Sequence, residues 1–176
     1  MLVVLGGISL ISAGLLGFTY TKTKPLIDAV KKQKFEQAIK EVLPPFDTLG
    51  KKKTVEGFDR LELYPAMKDG KVVGTAVKSV TPKGFSGDVW IMVGITDDGT
   101  IFNTSILEQH ETPGLGTKMD PVMTSQMKGK KYASYPLKVK KDGGEVDAIT
   151  AATISSRAFL DAVSKAHAAW EKGGKK

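Results

Sequence analysis

The sequence predicts an α+β body, an antiparallel sheet with helices packed on it, carried behind an N-terminal transmembrane helix. Three observations predict this. The chain opens on an uncharged apolar run that ends before Lys22. Two stretches of alternating apolar residues each turn back on an Asp-Gly pair. The final segment carries apolar side chains at helical spacing. At 176 residues, one domain plus a short appendage is the expected organisation.

Leu2 to Phe18 is apolar or small, and Thr19 and Tyr20 extend it. That approaches the roughly 20 residues a helix needs to cross a bilayer. A cleaved secretory signal is the lesser reading. The start carries no Lys or Arg, and no small-x-small cleavage site is followed by a polar mature start. A buried globular helix is disfavoured because the run has no polar face. Gly6, Gly7, Ser9, Ser12, Ala13, Gly14 and Gly17 allow close helix–helix approach in lipid and point to membrane partners. By charge bias alone, Lys22 and Lys24 after the span would hold the body in the cytoplasm. The expected division is an anchor over 1–21, a connecting helix over 22–45 and the main body over 46–176. Thr23 and Pro25 read as the start of the connecting helix. Leu26, Val30, Phe35, Ala38, Ile39 and Val42 recur along it, and Pro44-Pro45 stops it.

Residues 46–60 read as a loop or an irregular edge strand. Leu61–Met67 and Val72–Val80 flank Asp69-Gly70, a hairpin signal. Val89–Ile95 and Thr100–Leu107 flank Asp97-Asp98-Gly99, a second one. Val89, Ile91 and Val93 alternate with Trp90, Met92 and Gly94, so this strand reads as buried on both faces. Asp120-Pro121 opens a short helix to about Met127. Lys128–Tyr135 reads as a loop and Leu137–Lys140 as a strand. The last helix is expected from about Ser155 to Glu171, with Phe159, Leu160, Val163, Ala166 and Trp170 as its apolar stripe and Gly173-Gly174 as its end.

Composition excludes several chemistries. The 41% hydrophobic content is that of a globular chain. The net charge of +7 comes largely from scattered lysines. No aromatics interleave with them as a stacking platform, which reads as a solvated face and not a nucleic-acid surface. The absence of cysteine removes disulfides, Cys-based zinc sites, thioether-bound haem and thiolate-held clusters. Two histidines, His110 and His167, are too few for a multi-histidine metal site. The Gly-x-Gly-x-x-Gly, Gly-Lys-Ser/Thr and Gly-x-Ser-x-Gly patterns are missing, so nucleotide folds and hydrolase elbows find no support.

One stretch stands out. Asp147-Ala-Ile-Thr150-Ala151-Ala152-Thr153 leads into the final helix. It sets a threonine hydroxyl among small residues at or beside a helix N-terminus, where free amides and the helix dipole favour an anion. Taken alone, the stretch is equally a Ser/Thr-rich cap, and Thr112-Pro-Gly114-Leu115-Gly116 is an ordinary glycine loop.

The order of motifs is more specific. A membrane helix is followed by Gly84-Phe85-Ser86-Gly87, a strand pair, Glu111-Thr-Pro-Gly-Leu-Gly116 and then Asp147 to Thr153 before a last helix. Over nearly its whole length the chain resembles two kinds of FMN-binding protein, the G subunit of the Rnf electron transport complex and the C subunit of the sodium-pumping NADH:quinone oxidoreductase. Its compact length resembles the former. In that family Asp-x-x-Ser/Thr-Gly/Ala-Ala-Thr marks covalent flavinylation, in which a flavin transferase moves FMN from FAD onto the last threonine as a phosphoester. The resemblance implies Thr153 as acceptor and Asp147, Thr150 and Ala152 as recognition positions. Ala151 stands where glycine is common. It also implies that Glu111, Thr112, Gly114, Leu115 and Gly116 lie against the flavin, with Phe85 supplying an aromatic face. Backbone amides of the Gly114–Thr117 turn are candidate donors to the ring. Asp88 replaces a proline of the family pattern.

The resemblance further implies a non-autonomous redox subunit. Its complex couples electron flow between reduced ferredoxin and NAD⁺ to Na⁺ or H⁺ translocation. The expected partners are the other membrane and redox subunits, with the flavin transferase during maturation and no nucleic acid. It implies a single-pass protein of the inner (cytoplasmic) membrane with its body on the extracytoplasmic side, against the two-lysine bias. The alternatives are the equivalent component of the NADH:quinone pump, a membrane-tethered binding or sensor module without a redox role, and a secreted domain.

Overall fold

The computed structural model describes residues 1–174. They fall into two compact units, Met1–Glu36 and the described residues from Gln37 onward. Apart from Met1, the first consists of residues of helix α1 (Leu2–Val42), whose last residues belong to the second. An 18-residue window of α1 has a mean hydropathy of 2.1, enough to cross a membrane, and none of that window is buried. The helix start expected at Thr23 is absent, because α1 passes through Pro25 without a break. Proline removes one backbone donor but its φ is helical. The Thr23 hydroxyl donates back to the Thr19 carbonyl at 2.9 Å instead of capping a new helix.

In the second unit the sheet is a plain antiparallel meander. Its strands are β1 (Thr48–Leu49), β2 (Glu62–Lys68), β3 (Lys71–Gly84), β4 (Gly87–Ile95) and β5 (Ile101–Glu108), in the order β1-β2-β3-β4-β5. Asp69 and Gly70 both have positive φ, +49° and +75°, between the paired Lys68 and Lys71. This is the primed turn that suits a two-residue hairpin. Between β4 and β5, Asp98 accepts hydrogen bonds from the Thr96 and Thr100 hydroxyls and from the Thr100 amide.

Strand β4 is covered on both sides, as its unbroken apolar run predicts. One face bears Val77, Val89, Ile91, Val93 and Ile95 and packs under α3 (Thr153–Gly173) in the main core. The opposite face presents Ala66, Ala76, Met92 and Gly94. There the end of α1 closes over it: Ala38, Ile39 and Val42 are buried, Gly94 lies against the Val42 backbone, and Asn103 Nδ2 donates to the Glu41 carbonyl at 3.1 Å. Helix α2 (Met119–Met127) sits beside β5 and buries a row of methionines, Met119, Met123 and Met127. The strand expected at Leu137–Lys140 is not formed. Val139 makes a single parallel bridge to Val146, and the chain then tightens into a 3-10 turn closed by Gly143 at φ +79°.

Polar links set how α3 lies on the sheet. Ser79 donates to the Ala162 carbonyl at 2.7 Å, and Thr81 donates to Asp161 Oδ2 at 2.6 Å. Lys83 and Lys165 pair with the same carboxylate. Burial pushes the Asp161 carboxyl up, but hydrogen bonds from Lys165, Lys83 and Thr81 outweigh it and hold the group down to about 2. A carboxyl depressed in the folded state stabilises fully above its unfolded value of about 4 and loses that contribution as pH falls toward the folded one. Asp161→Asn should therefore lower stability at neutral pH. It should also flatten the fall in unfolding free energy between about pH 4.5 and 2.5, measured by urea denaturation across pH.

Candidate cofactor site

Three segments meet at one end of the sheet. The β3–β4 hairpin tip, Gly84–Gly87, stands there by the pairing of Gly84 with Gly87. Strand β5 runs antiparallel to β4, with Glu108 opposite Trp90, so the loop that follows it emerges at the same end. Helix α3 lies along β3 and brings its first turn to the tip. Between them is an open cleft of about 320 Å³, lined by Phe85, Glu111, Leu115, Ala151, Thr153 and Ser155 among others.

Glu111 joins all three segments. Its side chain is buried, at 4% exposure. One carboxylate oxygen accepts the Ser155 hydroxyl from α3, and the other accepts the Ser86 amide of the hairpin tip at 3.2 Å. The flanking glycines make room for it. A Cβ on Gly84 would lie 2.7 Å from Oε1, and one on Gly116 would lie 2.8 Å from Oε2. Neither position accepts a side chain without moving the carboxylate.

The start of α3 has no cap of its own. Thr153 is its first residue, Ala152 occupies the capping position without a side-chain hydrogen bond, and the first turn holds no acidic residue. The Ser155 hydroxyl is turned to Glu111, and the Ser156 hydroxyl bonds the Ile149 amide and the Ala152 carbonyl. The helix thus offers unfilled amides and its positive dipole end beside the Thr153 side chain. Ala151 has φ +60°, the left-handed region.

The structure brings Thr153, Ala151, Ala152, Glu111, Thr112, Leu115, Gly116 and Phe85 around the cleft. Asp147 and Thr150 are exposed and outside its lining. Asp147 pairs with Lys140, and its backbone exchanges two hydrogen bonds with the Gln126 side chain. Gly114 also lies outside the lining, at the outer bend of its turn with φ +76°. Three of the four amides of the Gly114–Thr117 turn, which sequence offered as candidate donors, have partners within the loop. The Gly114 amide donates to Thr117 Oγ1, and those of Leu115 and Thr117 donate to the Thr112 carbonyl. This loop instead presents the Leu115 side chain. Asp88 leaves the hairpin intact. It sits in β4 and pairs with Arg60, whose guanidinium lies 5.1 Å from the Trp90 ring centroid. Ile154 and Ser155 were missed from sequence. A serine two residues after the motif threonine was the available signal, on the third helical position.

The residues suit a phosphorylated ring compound. Uncapped amides match a phosphate group. Phe85 (66% exposed), Leu115 and Ile154 offer apolar surface around the mouth. Among the described residues no group of His, Asp and Glu could hold a metal ion.

Residues 84–168 match the FMN-binding domain family. That span begins at the hairpin tip, ends within α3 and encloses every cleft residue. Beyond it, the G subunit of an ion-translocating oxidoreductase complex from Vibrio cholerae is 31% identical over 178 residues, covering 93% of this chain and 85% of its own length. The chain belongs to the family of these G subunits. The counterpart from Erwinia tasmaniensis is 40% identical over 109 residues, 58% of this chain and 52% of its own. That from Escherichia coli is 38% identical over 110 residues, 59% and 53% respectively. Identity is thus higher over alignments confined to little more than half the chain.

Ala151 holds a left-handed conformation that glycine adopts without strain. A Cβ in that conformation costs about 1 kcal/mol. Ala151→Gly should raise stability by about that amount, read as an increase of roughly 3 °C in the melting temperature of the flavin-free chain.

Proposed function

We propose that the chain is the electron-carrying FMN subunit of a membrane-bound, ion-translocating ferredoxin:NAD⁺ oxidoreductase of the Rnf type, with FMN held by a phosphoester to Thr153. The observation that carries this reading is the first turn of α3. Its uncapped amides, with Thr153 as the first helical residue, open into a cleft inside the FMN-binding region. Thr153 Oγ1 forms the bond to the flavin-side phosphorus of FAD, the pyrophosphate bond breaks, AMP leaves and the hydroxyl proton is released. A flavin transferase supplies that reaction. The resulting diester keeps one negative charge, which suits the helix N-terminus.

When bound, FMN supplies reversible electron transfer. The chain's own residues hold and cover it: the α3 amides face the phosphate, and Phe85, Leu115 and Ile154 shield apolar surface. Asp147 and Thr150, exposed beside the cleft, are placed for contact with the transferase. Residues 1–21 serve as the anchor, 22–45 as the link and 46–176 as the carrier body. The small residues of α1 dock among the helices of the other membrane subunits.

Thr153→Val, produced alongside the transferase, should fold normally yet give a colourless chain without in-gel fluorescence after denaturation. The unaltered chain should gain the mass of FMN less water on the peptide ending at Arg157. Fluorescence persisting in the variant would refute the linkage.

The body is assigned to the extracytoplasmic side. Because the chain lacks cysteine, Lys128→Cys gives a lone reporter on an exposed residue. A membrane-impermeant maleimide should label it in intact spheroplasts. Labelling only after lysis would place the body in the cytoplasm.

A further inference from the structure

The buried Glu111 carboxylate is an uncommon group to find in the wall of a site for an anion. Among the described residues no cation pairs with it. Its partners are two neutral donors, the Ser155 hydroxyl and the Ser86 amide. Burying an unpaired charge is costly, and the positive end of α3 only partly offsets this. A packing role does not call for a charge. A neutral side chain of the same shape would fill the space between Gly84 and Gly116 at lower desolvation cost.

We propose that Glu111 sets the reduction potential of the flavin, acting as a fixed negative charge in the cleft wall whose strength Ser155 meters. This rests on the reading that Thr153 carries FMN. Reduction adds negative charge to the ring system. A carboxylate lining the same partly desolvated cleft opposes that gain, because Coulomb energies are larger where the effective dielectric is low. The Ser155 hydroxyl draws part of the carboxylate's charge onto itself through a charge-assisted hydrogen bond. Glu111 therefore biases the bound flavin toward its oxidised state, making it a stronger reductant once electrons arrive. Ser155 moderates the effect.

The two residues should move the potential in opposite directions. Glu111→Gln keeps the shape and removes the charge. Its covalently loaded form should be reduced more readily, by about tenfold in the equilibrium against a reference dye, or about 30 mV for a two-electron couple. Ser155→Ala keeps the charge and removes a donor, so its potential should shift negative. Both are read by spectroelectrochemical titration of chain loaded by the transferase, with loading checked by intact mass. A merely structural role predicts no such opposition. Potentials that do not move, or that move the same way in both variants, overturn the proposal. If Glu111→Gln fails to fold, Ser155→Ala alone decides: a negative shift supports the proposal, and no shift or a positive one overturns it. Wild-type chain without FMN on Thr153 would sink the underlying reading instead, which the mass measurement separates from a failure of this one.

Discussion

The seating of α3 on β3 and β4 is the constraint on which the rest depends. Ser79 and Thr81 hold the helix to the sheet through Ala162 and Asp161, while Phe159, Val163 and Ala166 bury its apolar stripe. These contacts lie a few turns along the helix and so determine where its first turn falls. That turn reaches the hairpin tip only because β3 is long, 14 residues, and carries on to Gly84. A slip of one helical turn would move Thr153 by about 5 Å and take Ser155 out of reach of Glu111. The site is thus the product of sheet length and helix register, and no single segment forms it alone.

The two faces of the sheet have different tasks. The α3 face is broad and holds nearly all the large apolar side chains. The other face uses small residues, Ala66, Gly74, Ala76 and Gly94, which let the end of α1 come down onto the backbone. The chain therefore ties the last turns of its long apolar helix directly into the sheet that bears the cleft.

Much of this was legible in the sequence. The hairpins followed from Asp69-Gly70 and Asp97-Asp98-Gly99, because so few residues tolerate the required positive φ. The doubly buried β4 followed from its unbroken apolar run, and the α3 stripe from its spacing. Two local features were not legible. Thr23 and Pro25 resemble a helix start, yet a proline and a back-bonded threonine also fit inside a continuing helix, and only the backbone distinguishes them. Val139 has strand character but no partner strand, and a single bridge does not make a sheet. At the site, motif order placed the cleft residues together. It did not reveal that the Gly114, Leu115 and Thr117 amides bond within the loop, nor that Glu111 reaches Ser155 across 44 positions of chain.

The meander also bears on how the polypeptide is completed. Every strand pairs with its neighbour in sequence, so each pairing closes only a short loop at small entropic cost. The cover for the apolar face arrives much later: Ser79 waits for Ala162, 83 positions on. A ribosome that stopped before α3 would release a sheet with its pairings available and Val77, Ile91, Val93 and Ile95 bare to water, an invitation to aggregate. The same closing stretch that supplies Thr153 is the one that covers this face, so a chain truncated before it lacks both the threonine and the cover of its sheet.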